Sequence, residues 1–98
     1  MGELVCQAEL TIKNAEGLHM RPAMQFVDVA SRYRSKITVI KNGFEVDGKS
    51  IMQVSMLAAS YGTKLLVKAT GPDAHKAIDE LRDLVEVKMF NETPGPPE

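Results

Sequence analysis

Ninety-eight residues with a net charge of −1, 44% hydrophobic and 26% charged, describe one ordinary globular domain with a single modest core. The near-neutral balance gives no electrostatic case for nucleic acid or an anionic membrane, and no apolar run approaches the length of a membrane span, so membrane insertion is not expected. The one cysteine, Cys6, excludes an internal disulfide and leaves no partner for a zinc site, so no metal is expected.

The N-terminus carries Glu3 and lacks a basic region followed by an apolar one, so it does not read as a secretory signal. Cys6 stands where a myristoylation motif wants Ser or Thr. A cytoplasmic location is expected. Residues 4–12 then alternate, with Cys6, Ala8, Leu10 and Ile12 on one side and Gln7, Glu9 and Thr11 on the other, which predicts a strand with one buried face. Residues 14–17 form a loop. From about His19 to Tyr33 the period changes: Ala23, Phe26, Val27 and Ala30 mark an amphipathic helix, with Pro22 in its first turn.

Residues 36–41 and 44–48 flank Asn42-Gly43, a strong type I′ hairpin signal because both turn positions need positive φ. A two-residue turn sets Val39 opposite Val46 and Ile40 opposite Glu45, and predicts that Ile37, Val39, Phe44 and Val46 share the buried face. Ser50 with Gln53 reads as a capping box opening a short helix to about Ser60. Residues 64–70 form another strand with Leu65, Val67 and Ala69 inward. Gly71-Pro72-Asp73 then starts a final helix with the stripe Ala74, Ala77, Ile78, Leu81 and Val85, fading near Phe90. Thr93-Pro94-Gly95-Pro96-Pro97-Glu98 has nothing to bury, so the domain is expected over 1–90 and a mobile Pro/Gly-rich tail over 91–98. The order βαββαβα, with strands polar on one face, predicts an α+β fold: a mostly antiparallel four-stranded sheet with three helices on its other side.

The chemistry concentrates in Gly17-Leu18-His19-Met20-Arg21-Pro22-Ala23. An imidazole here sits beside the positive end of a helix dipole, with free N–H groups and a guanidinium alongside, which suits a phosphoryl group. A neutral imidazole nitrogen is a competent nucleophile, so His19 is the candidate acceptor. Transfer between partners needs an N–P bond that breaks again easily, and a phosphoserine ester would not meet that need. Arg21 in a first turn opposes the dipole, a local cost expected where an anion arrives. Ser50 is a good N-cap, and a helix N-terminus also accepts a phosphoserine. Met20 and Met24 fall outside the apolar stripe of their helix. With Ile51 and Met52 they form a candidate apolar patch for partners, from which at least one member is expected to tuck into the core. His75, among Asp73, Asp79 and Glu80, reads as part of a solvated helix face.

The heptapeptide resembles the phosphohistidine signature of the HPr family, the phosphocarriers of the bacterial sugar phosphotransferase system. Gly48-Lys49-Ser50-Ile51-Met52 resembles the regulatory-serine motif of that family, and the similarity spans roughly residues 4–90. The resemblance implies an open-faced β-sandwich and attachment at Nδ1 of His19. It also implies uptake of the phosphoryl group from phosphorylated Enzyme I, transfer to IIA domains of sugar permeases, and regulation at Ser50 by an HPr kinase/phosphorylase. The protein would be a stoichiometric carrier and a monomer, with no cofactor. Ala69-Thr70-Gly71-Pro72 is similar to the nitrogen-branch paralogue, the runner-up. A different class is a small acyl-phosphate hydrolase using Arg21, which would need a water-positioning amide; Asn14 is the only nearby amide in sequence. A module that only binds would not require His19.

Overall fold

The computed structural model describes residues 4–97; the first three residues, read above for targeting signals, and Glu98 lie outside them. Strand β1 (Val5–Thr11) leads to helix α1 (Met20–Ser31), the hairpin β2 (Lys36–Lys41) and β3 (Phe44–Asp47), helix α2 (Ile51–Ser55), strand β4 (Lys64–Thr70) and helix α3 (Ala74–Arg82). The strands form one antiparallel sheet in the order β1-β4-β2-β3. The three helices cover one face of this open-faced sandwich. Each strand buries alternate residues: Ala8 and Leu10, Ile37 and Val39, Val46, and Leu65, Val67 and Ala69. The predicted hairpin register holds, with Val39 opposite Val46 and Ile40 opposite Glu45, and Asn42 and Gly43 take φ of 50° and 81°.

Phe44 departs from its expected burial and is 51% exposed. It pairs with Lys41 at the end of the hairpin, whereas β4 pairs with β2 only over Lys36–Ile40, so the tip projects past the sheet. In α1, Ala23, Phe26 and Ala30 are buried as expected, but Val29 is buried while Val27 is only half-buried. α1 packs against α3 as well as α2, which widens its covered face.

Helix α2 stops at Ser55, short of the expected Ser60. Leu57 and Ala59 are both buried and Ala58 between them is exposed with φ 48°, a period-two burial that a helix cannot supply. The Ser50 cap forms, with Gln53 N donating to Oγ at 3.3 Å. The reciprocal half of the box does not: Gln53 Oε1 accepts instead from Asp47 N at 2.9 Å.

The chain beyond Phe90 differs most from expectation. α3 continues through a π-helical turn, Asp83–Val87, into a single 3-10 turn, Met89–Asn91. Met89, Phe90 and Asn91 all take left-handed φ, at 49°, 55° and 59°. Such a conformation costs a non-glycine residue about 1–2 kcal/mol, and the buried Phe90 side chain, 1% exposed, offsets it. The chain thereby turns back along the β1–α1 loop. Ala15 N donates to Thr93 O and Gly95 N to Lys13 O, both at 2.8 Å, and the Tyr61 hydroxyl donates to Pro96 O. Proline removes N–H donors, and this strap takes only one N–H from its proline-rich stretch, that of Gly95.

Candidate functional site

His19 is the N-cap of α1, with extended backbone (φ −78°, ψ −171°), and its carbonyl accepts from Ala23 N at 2.9 Å. Its side chain makes no capping bond, and the first turn of α1 holds no acidic residue. The N–H groups of Met20 and Arg21 therefore keep the orphan character of a helix start, a setting for an anion. Gly17 fixes the approach. It takes φ +74°, and a Cβ there would lie 2.6 Å from Ala59 O, so only glycine fits before His19.

The imidazole is partly exposed, its side chain at 39%, in a basin lined by Glu16, Met20, Arg21, Met24, Gln25 and Glu92. Nε2 lies 3.0 and 2.9 Å from the two carboxylate oxygens of Glu92 and 3.7 Å from Glu16 Oε2. Among the described residues no hydrogen bond reaches Nδ1. Asn14, fully buried, donates from Nδ2 to Gly17 O at 2.7 Å and to Glu92 Oε1 at 3.0 Å. Burial pushes the Glu92 carboxyl up, but the hydrogen bonds from His19 and Asn14 and the positive charge of Arg21 outweigh it and hold the group below its ordinary value. Arg21 is exposed and makes no ion pair among the described residues.

Glu16, His19 and Glu92 each offer one potential metal-ligand atom, all within 4.8 Å of one another. Glu92 is already committed to His19 and Asn14, so the trio reads as a hydrogen-bonded cluster and not as a metal centre. Both Asn14 amide hydrogens are bonded, to Gly17 O and Glu92 Oε1.

A second concavity of about 1050 Å³ runs between α1 and α2, lined by Met20, Met24, Val27, Ile51, Met52 and Met56 among others. It shares Met20, Met24 and Gln25 with the His19 basin. Met20 and Met24 are each 57% exposed and Met52 77%, whereas Ile51 is the member that packs partly into the core. Ser50 lines neither concavity; it caps the helix whose first residues line the groove. His75 is exposed, with Nδ1 3.6 Å from Cys6 Sγ.

Sequence reasoning missed Met56, Glu16 and Glu92. Met56 lies four residues after Met52 and was accessible from helical spacing. Glu92 carried no signal, because only the left-handed turn at Met89–Asn91 brings it back to His19.

The family described as PTS HPr component phosphorylation site matches residues 6–87. The phosphocarrier protein HPr of Xylella fastidiosa (strain Temecula1) is 44% identical over 84 residues, covering 86% of this chain and 93% of that protein. The phosphocarrier protein HPr of Borreliella burgdorferi is 45% identical over 78 residues, covering 80% and 91%. The crystal structure of HPr-C-His from Thermoanaerobacter tengcongensis superposes with a TM-score of 0.85 at 41% identity, covering 89% of this chain and 97% of that one. The chain belongs to the HPr family of phosphocarrier proteins of the phosphotransferase system. A phosphocarrier role follows, and not that of a conventional enzyme. No helix among the described residues is long and apolar enough to cross a membrane.

Proposed function

We propose that this protein accepts a phosphoryl group on His19 from phosphorylated Enzyme I and donates it to IIA domains of sugar permeases. The observation that carries the reading is His19 at an uncapped helix start, in one basin with the unpaired Arg21 and beside a methionine-lined groove. Arg21 and the first-turn N–H groups offset the charge of the incoming phosphoryl group. Met20, Met24, Ile51 and Met52 form the docking surface, since flexible thioethers adapt to more than one partner. Phosphorylation of Ser50 by an HPr kinase/phosphorylase adds about −1.5 to −2 charge at the edge of that surface and lowers its affinity for partners. In this reading the protein works in the cytoplasm as a monomer and needs no cofactor.

The test is incubation of the full chain with Enzyme I and labelled phosphoenolpyruvate. An acid-labile, base-stable label is expected, and none in His19→Ala. Acid-labile label persisting in that variant refutes the assignment.

A further inference from the structure

We propose that Glu92, delivered by the C-terminal strap, is the positioning residue that holds the His19 ring with its proton on Nε2 and its lone pair on Nδ1. The inference rests on the phosphocarrier reading above. Glu92 lies beyond the family match, which ends at residue 87, so the matched motif assigns it nothing. Both its carboxylate oxygens lie within 3.0 Å of Nε2. A carboxylate only accepts, so Nε2 must donate, and the remaining lone pair of the neutral ring is on Nδ1.

Two further observations show that the contact is built. Asn14, itself fully buried, donates to Glu92 Oε1, one of the two oxygens against the ring, and thereby helps to fix the carboxylate. Three successive non-glycine residues, Met89, Phe90 and Asn91, hold left-handed backbone directly before Glu92. Strain of this kind persists only where the surrounding structure enforces it, and it clusters at functional sites. The strap bonds at Thr93 and Gly95 then keep Glu92 against the ring.

The consequence for transfer follows from the electrons. The Nδ1 lone pair forms the new N–P bond. The bond from phosphorus to the donor group of phosphorylated Enzyme I breaks, and its electron pair leaves with that group. The Nε2 proton stays on His19, so its ring becomes positive as the bond forms. The Glu92 carboxylate already lies against that developing charge, on the side of the ring away from the phosphoryl group.

The test uses the full-length, 15N-labelled chain and two readouts: the His19 Nε2–H resonance and the rate of phosphoryl uptake from phosphorylated Enzyme I. The wild type is expected to show a slowly exchanging Nε2–H signal. Glu92→Gln keeps an acceptor but not the charge, so the signal should persist while uptake slows about tenfold. Glu92→Ala should lose the signal and slow at least as much. Gly95→Ala should weaken the signal with Glu92 intact, because a Cβ there runs into the Tyr61 ring and disturbs the strap. Uptake at the wild-type rate in Glu92→Ala, with His19 still the labelled residue, overturns the proposal, as does an unprotected Nε2–H in the wild type. Failure of the wild type to take label on His19 refutes the phosphocarrier reading instead, and the Nε2–H signal reports on Glu92 independently of it.

Discussion

At Arg21 stability and the proposed role are expected to separate. The guanidinium is exposed, makes no ion pair among the described residues and sits in the first turn of α1, where a cation opposes the helix dipole by about 0.3–1 kcal/mol. Arg21→Ala is therefore expected to leave thermal unfolding unchanged or slightly raised, while phosphoryl transfer slows markedly; calorimetry and transfer kinetics on the same preparation check both. Asn14 behaves in the opposite way. It is fully buried, and its amide links Gly17 to Glu92. Asn14→Ala strands the Gly17 carbonyl and is expected to cost about 1–3 kcal/mol, measured as a lower denaturant midpoint at constant slope.

Among the elements, the junction of β2 with α3 carries the clearest pH signature. Asp73 accepts from Ser35 Oγ at 2.5 Å, from Arg34 N at 2.8 Å and from Ser35 N at 2.9 Å, and these bonds hold its carboxyl down at about 2. Gly71 allows the approach, since a Cβ there would meet Ser35 Cα at 2.7 Å. An unfolded aspartate titrates near about 3.9. The folded value is the lower one, so this stabilisation is complete above about pH 4 and is lost as pH falls toward about 2. Asp73→Asn should be less stable than wild type at pH 6, and the difference should shrink between pH 4 and pH 2, read from urea midpoints. For α2 the cap bond is long at 3.3 Å, so Ser50→Ala should cost no more than about 1 kcal/mol and leave transfer intact. Ser50→Asp keeps an N-cap acceptor and the fold, yet should weaken binding to Enzyme I, measured by calorimetric titration against unchanged circular dichroism.

For the whole molecule, the pairing of α1 with α2 is what joins an apolar groove to the His19 basin. Met52, at 77% exposure, contributes almost nothing to the core. Met52→Glu should leave unfolding stability within about 0.5 kcal/mol of wild type and weaken Enzyme I binding by about 1 kcal/mol or more. Unchanged affinity would remove the groove from the docking surface.

Local patterns decided much of this protein before any contact was known. Alternation fixed the inward faces of β1 and β4, Asn42-Gly43 set the hairpin register, and the heptapeptide around His19 carried the resemblance to the family. Each of these depends on residues within a turn or two of one another, so the physics is written in consecutive positions. The tertiary structure alone decided what lies far apart in the chain. Phe44 is exposed because the sheet ends beside it. α2 stops at Ser55 because Leu57 and Ala59 both turn into the core. Glu92 reaches His19 because a left-handed turn at ordinary residues, anchored by Phe90, sends a proline-rich segment back across the β1–α1 loop. Only Asn91 leans to that conformation by itself, and the turn's stabilisation comes from burial and main-chain bonds to residues that the sequence places at the opposite end of the chain.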